Sequence, residues 1–163
     1  MRDSEQLYRL IDASIRLEHN MAALYEKMAE VFPQDKQFCW TLVMEEKNHA
    51  ALLRSGRQSF MPHQVFPLDL IPSSLSQLKQ SNQMISEFIK QLKNHQSSRK
   101  EAFNKAYSFE ESAGEFHFQT FMDKPVENDM ERMFKELNQG DKDHALRIKR
   151  YMEEQDIPFL AHK

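Results

Sequence analysis

The chain has 163 residues, 25 acidic against 22 basic side chains and a formal net charge of −3. That is the size of one domain with a real core, without the basic footprint of a nucleic-acid-binding protein. Its single cysteine, Cys39, excludes an internal disulfide and any multi-cysteine metal site.

Three glycines and six prolines beside ten methionines and twelve phenylalanines predict long helices rather than a sheet built on turns. Arg2 to Gln6 is polar, which predicts no signal peptide. No apolar run approaches the roughly 20 residues needed to span a bilayer. The expectation is a cytoplasmic, all-helical protein with no membrane or nucleic-acid partner.

The first predicted helix runs from Ser4 to Val31, with Asp3 or Ser4 as its cap and Phe32-Pro33 as its stop. One stripe at spacing 3–4 reads Ile11, Ser14, Glu18, Met21, Tyr25, Met28 and Phe32, a core face with a carboxylate at its middle. After a short connection with Asp35 as a candidate cap, a second helix is expected from about Lys36 to Arg57. Its inner stripe is Cys39, Leu42, Glu46, His49 and Leu53. So short a linker makes the two helices antiparallel neighbours.

Gly56 to Pro72 is irregular, but Phe60, Val65, Phe66 and Leu70 predict a connection lying over the bundle. Ser73-Ser74 can cap a third helix from about Leu75 to Asn94, read as a structural crossover. A fourth helix is expected over Arg99–Met122, with the stripe Phe103, Tyr107, Glu111, Gly114, Phe118 and Phe121. A last helix is expected over Glu127–Gln155, with Met130, Phe134, Leu137, Asp141, His144, Ile148 and Tyr151 inward and Gly140 tolerated inside it. The organisation is one domain over 1–163: a helical hairpin at 4–57, a crossover at 58–95 and a second hairpin at 99–155.

Glu46 and His49 stand at i and i+3, one turn apart on one helix face, where both can reach the same ion. Asp141 and His144 repeat that spacing. Chance alone supplies about one acid three residues before a histidine in this composition, and the chain has two, so the pairs alone carry little. The weight comes from the repeat. Glu18 is followed by Tyr25 and then by Glu46-x-x-His49; Glu111 is followed by Phe118 and then by Asp141-x-x-His144.

Four carboxylates on apolar faces of one small bundle repel, and burying each is opposed by several kcal/mol of desolvation. A pair of divalent cations relieves this, and four carboxylates with two imidazoles suit two iron or manganese ions. His19 points about 100° away from Glu18. His95 and His117 have no partner at ligand spacing, His63 and His162 fall in a loop and the tail, and Cys39 reads as a small buried hydrophobe.

This arrangement resembles the ferritin-like superfamily of di-iron carboxylate proteins, in its rubrerythrin-like branch, over nearly the whole chain. The resemblance implies a ferritin-like four-helix bundle with an additional crossover helix between the two hairpins. It implies that Glu18 and His49 serve one metal, Glu111 and His144 the other, and that Glu46 and Asp141 bridge. Tyr25 matches the family's aromatic beside the ligands.

The implied function is reaction of two iron ions (or manganese) with O₂ or peroxide in iron or oxidative-stress handling, as a ferroxidase or peroxidase in a homodimer or small homo-oligomer. Alternatives on the same fold are an iron-binding or storage protein and a metal-free helical interaction module. Three departures stand out. Asp141 replaces the usual glutamate, and Gly114 stands where rubrerythrins carry an additional one. With a single cysteine there is no rubredoxin-like iron site, so electrons would come from a separate donor protein.

Overall fold

A computed structural model describes residues 4–63, 66–112, 120–137 and 143–160, and every regular element among them is helical. The main helices are α1 (Ser4–Val31), α2 (Lys36–Phe60), α3 (Leu75–Lys93), α4 (Arg99–Ser112), α5 (Asp129–Leu137) and α6 (His144–Glu154). Short 3-10 turns at Pro33–Asp35, Met61–His63 and Leu68–Leu70 carry the connections.

The local signals explain most boundaries. Pro33 cannot continue α1, and the chain turns at once into α2. Ser74 caps α3, its hydroxyl accepting from the backbone N–H of Gln77. Asp35 occupies the cap position of α2 without capping it. Its carboxylate instead accepts two hydrogen bonds from Arg99, at 2.8 and 2.6 Å, and one from the Tyr151 hydroxyl at 2.8 Å. The end of α2 and the connection after it lie on the core, with Phe60, Met61, Phe66, Leu70 and Ile71 buried.

One expected helix is corrected. The helix expected over Glu127–Gln155 is two elements, α5 and α6. Asp143 enters α6 in the left-handed region, at φ 58° and ψ 51°, which a continuous right-handed helix cannot contain. Asn138, Gly140 and Asp141 are weak helix formers, and the sequence reading passed through them. They lie outside the described residues, as do Gly114 and Phe118. The helix expected over Arg99–Met122 is described as α4 to Ser112 and again as helix at 120–123.

Helix direction can be read from side-chain pairs. Asp12–Arg57, Glu18–His49 and Glu26–Lys47 join α1 to α2 with one number rising as the other falls, so the two are antiparallel. The pairs Tyr25–Glu110 and Asp35–Arg99 set the α1 side antiparallel to α4 in the same way. Phe38–Tyr151 and Glu45–Arg147 do so for α2 and α6, and Phe103–Tyr151 and Glu110–His144 for α4 and α6. Helix α3 packs against α1.

The core between these helices holds Leu10, Leu24, Met28, Leu42, Phe103 and Ile148, each nearly or wholly buried. Cys39 lies there too. Burial, and then the Asp35 charge, push its thiol up to about 12, so it is an inert apolar filler.

Candidate metal centre

In the middle of this core four helices bring carboxylates and imidazoles together. Glu46, His49, Glu110 and His144 are 1, 3, 4 and 0% exposed. The Glu18 side chain is 14% exposed at the edge of the group. His49 Nδ1 lies 3.6 Å from both Glu18 Oε2 and Glu46 Oε2. His144 Nδ1 lies 2.9 Å from Glu46 Oε1 and 3.6 Å from Glu110 Oε1. The two imidazoles stack with ring centroids 5.3 Å apart and planes 16° apart. One donor atom each from Glu46, His49 and His144 fall within 4.8 Å of one another.

The other face of His144 is held separately. Its Nε2 is 2.8 Å from Glu45 Oε2, and Arg147 Nη1 donates to the same oxygen at 2.5 Å. The Glu45 carboxylate beside Nε2 favours a proton on that nitrogen, which would leave Nδ1 to face the cluster as the basic nitrogen, the tautomer a metal ligand requires. The Tyr25 hydroxyl, 1% exposed, donates to Glu110 Oε1.

The electrostatics are those of a cluster in which protons offset the excess of acids. Burial pushes the Glu18 carboxyl up to about 7, with the nearby Glu46 charge adding and His49 opposing. Burial and Glu110 also push Glu46 up, but the two imidazoles outweigh them and hold it below its ordinary value. Burial disfavours charge on His49, yet Glu18 and Glu46 override it and raise the ring to about 10. His144 is raised well above its ordinary value because the Glu46 and Glu110 carboxylates outweigh burial. It is also the first residue of α6, where the positive end of the helix dipole opposes an imidazolium and favours the facing carboxylates.

Without a cation, then, this centre is held together by imidazolium–carboxylate pairs. The same oxygens and nitrogens, with their protons displaced, form a mixed oxygen–nitrogen donor set of the type that binds iron, manganese or zinc.

Glu18, Glu46, His49, His144 and Tyr25 are therefore brought together, as the spacing suggested. Glu111 is not among them. It is exposed and accepts a hydrogen bond from the Tyr107 hydroxyl at 2.7 Å. Its neighbour Glu110 takes the inward position, because the buried stripe of α4 is Ala102, Phe103, Ala106, Phe109 and Glu110. Asp141 lies outside the described residues.

Sequence reasoning missed Glu110 and Glu45. The small residues Ala102 and Ala106, one turn apart and one turn before Glu110, were the available signal for the first. Nothing in the sequence marked Glu45, whose role depends on the approach of α6. A comparison with protein-family models, curated proteins and solved structures finds no match to this chain.

Proposed function

We propose that the chain is a ferritin-like four-helix bundle of α1, α2, α4 and α6, with α3 as the crossover helix, and that its buried cluster holds a pair of iron or manganese ions. The bundle reading is supported by the side-chain pairings, which make α1 antiparallel to α2 and α4, and α6 antiparallel to the same two. That is an up-down-down-up order, and it requires a long connection between the second and third members. The metal reading is carried by one observation: five acidic and imidazole side chains from four helices converge where apolar residues would otherwise meet.

Glu18, Glu46, His49, Glu110 and His144 would hold the ions, with Glu46 between the two imidazoles as the candidate bridge. Bound iron supplies electrons and a polarising clamp for O₂ or peroxide. The chain's residues do the rest. Glu45 and Arg147 orient His144, the Tyr25 hydroxyl fixes Glu110, and the apolar stripes of α1 and α2 exclude water. The activity that fits is ferroxidase- or peroxidase-type oxidation in iron or oxidative-stress handling, with electrons from a separate donor protein.

The test is metal content per chain by elemental analysis of protein purified without oxygen, chelator or added metal. About two irons per chain in the wild type, lost in Glu46→Ala/Glu110→Ala, is the expected result. No stoichiometric metal, even after incubation with Fe(II) or Mn(II), would sink the reading.

A further inference from the structure

Away from the cluster, α1 and α3 meet along two polar stripes. Arg9, Arg16 and Asn20 recur at helical spacing on α1, and Lys79, Gln83 and Ser86 on α3; together they line a cleft of about 590 Å³. Two packed helices ordinarily bury apolar ridges against each other. Here the apolar ridge of α3, Leu78, Ile85, Phe88 and Leu92, is interrupted by a buried amide. Asn82 donates to the carbonyls of Ala13 and Leu78, at 3.0 and 2.9 Å, and accepts from Asn20 Nδ2 at 2.6 Å. Asn82 is thereby fixed in place, and Asn20 stands in the cleft lining beside it.

The charges along this cleft do not balance. Asp12, the acid in its lining, is engaged by Arg57. Arg9 is paired with Glu5. Arg16 and Lys79 have no ion-pair partner among the described residues, in a chain whose net charge is −3. Arg16 and Lys79 are exposed on the rim of one concavity, and guanidinium and ammonium groups are the usual pair for phosphate and carboxylate oxygens. The volume falls in the range of small-molecule sites. Asn20, Gln83 and Ser86 add neutral groups suited to hydroxyls.

We propose that the α1–α3 cleft is a binding site for a small organic polyanion, a phosphate ester or polycarboxylate, with its anionic oxygens between Arg16 and Lys79 and its polar body against Asn20, Gln83 and Ser86.

The test is isothermal titration of the full chain at low ionic strength with two probes, inorganic pyrophosphate and citrate. Saturable binding of at least one probe is expected, and the tighter of the two identifies the phosphate or carboxylate class. Arg16→Gln/Lys79→Gln should weaken it by at least about tenfold, since charge-assisted hydrogen bonds are lost. Lys79→Arg should retain it, and so should Glu46→Gln, which separates the cleft from the buried imidazoles. The proposal is overturned if neither probe saturates, if the double variant binds like the wild type, or if Glu46→Gln abolishes binding and so moves the anion to the cluster.

Discussion

Replacing Glu110 and Glu111 one at a time separates two neighbouring carboxylates that point about 100° apart around α4. Glu110 is 4% exposed, 3.6 Å from His144 and bonded by Tyr25; Glu111 is exposed and touches the Tyr107 hydroxyl. A metal ion present at about 100 times its dissociation constant stabilises the folded state by about 2.7 kcal/mol. For a domain of this size that raises the melting temperature by about 5–11 °C.

Removing an outer-shell partner already weakens metal binding by about 10–100-fold, so losing a direct ligand should reach at least the upper figure. At that affinity the same metal concentration equals the dissociation constant, and the stabilisation falls to about 0.4 kcal/mol, roughly 1–2 °C. Glu110→Ala should therefore lose nearly all of the metal-induced shift, and Glu111→Ala should keep it. Scanning calorimetry of each variant with and without Fe(II) or Mn(II) under anaerobic conditions reads this directly. A full shift in Glu110→Ala with none in Glu111→Ala would refute the helix phase on which the site is built.

Glu45→Ala should leave the helical signal intact and lower metal affinity by about 10–100-fold, because His144 loses the carboxylate beside its Nε2; unchanged affinity in a metal titration would remove Glu45 from the site. The metal-free protein should lose stability as pH rises from about 6.5 to about 10. His49 is raised to about 10, so its contribution is complete below its unfolded value of about 6.5 and gone above the folded one. Glu18, raised to about 7, acts with the same sign, its contribution complete below about 4.3 and lost through 7. Urea denaturation across that range checks this, and stability that rises with pH would contradict it. Metal uptake at pH 7 should release protons, seen as a binding enthalpy that depends on the buffer's ionisation enthalpy. Arg99→Ala strands the buried Asp35 carboxylate with only the Tyr151 hydroxyl, a loss of about 1–3 kcal/mol and roughly 2–12 °C in melting temperature; a drop under about 2 °C would show the pair to be of little consequence.

The first hairpin was legible because its signals agree. Apolar residues recur at helical spacing through α1 and α2, a proline stands between them, and Glu18, Glu46 and His49 fall on the stripes that become buried. In α4 two phases competed. Tyr107 and Glu111 looked like the continuation of a core stripe from Phe103, whereas the helix buries Phe103 with Ala102, Ala106, Phe109 and Glu110. Bulk misled in α6, where Met152 rather than Tyr151 is fully buried and Tyr151 instead carries its hydroxyl to Asp35. That bond, like the Glu45 contact to His144, joins residues more than 90 positions apart, and no local pattern encodes it.

The two sides of the centre differ in how firmly the backbone holds them. Glu18, Glu46 and His49 sit in the interiors of helices of 28 and 25 residues, whereas His144 opens an 11-residue helix immediately after the left-handed Asp143. The first amides of a helix have no intrahelical acceptor, and helix ends open at a fraction of the global free energy. Amide exchange should therefore be slow at Glu46–Ala50 and fast at His144–Leu146. An ion seated between them would come and go by fraying of the α6 end, so its residence time would be governed by local opening there while α1 and α2 stay closed.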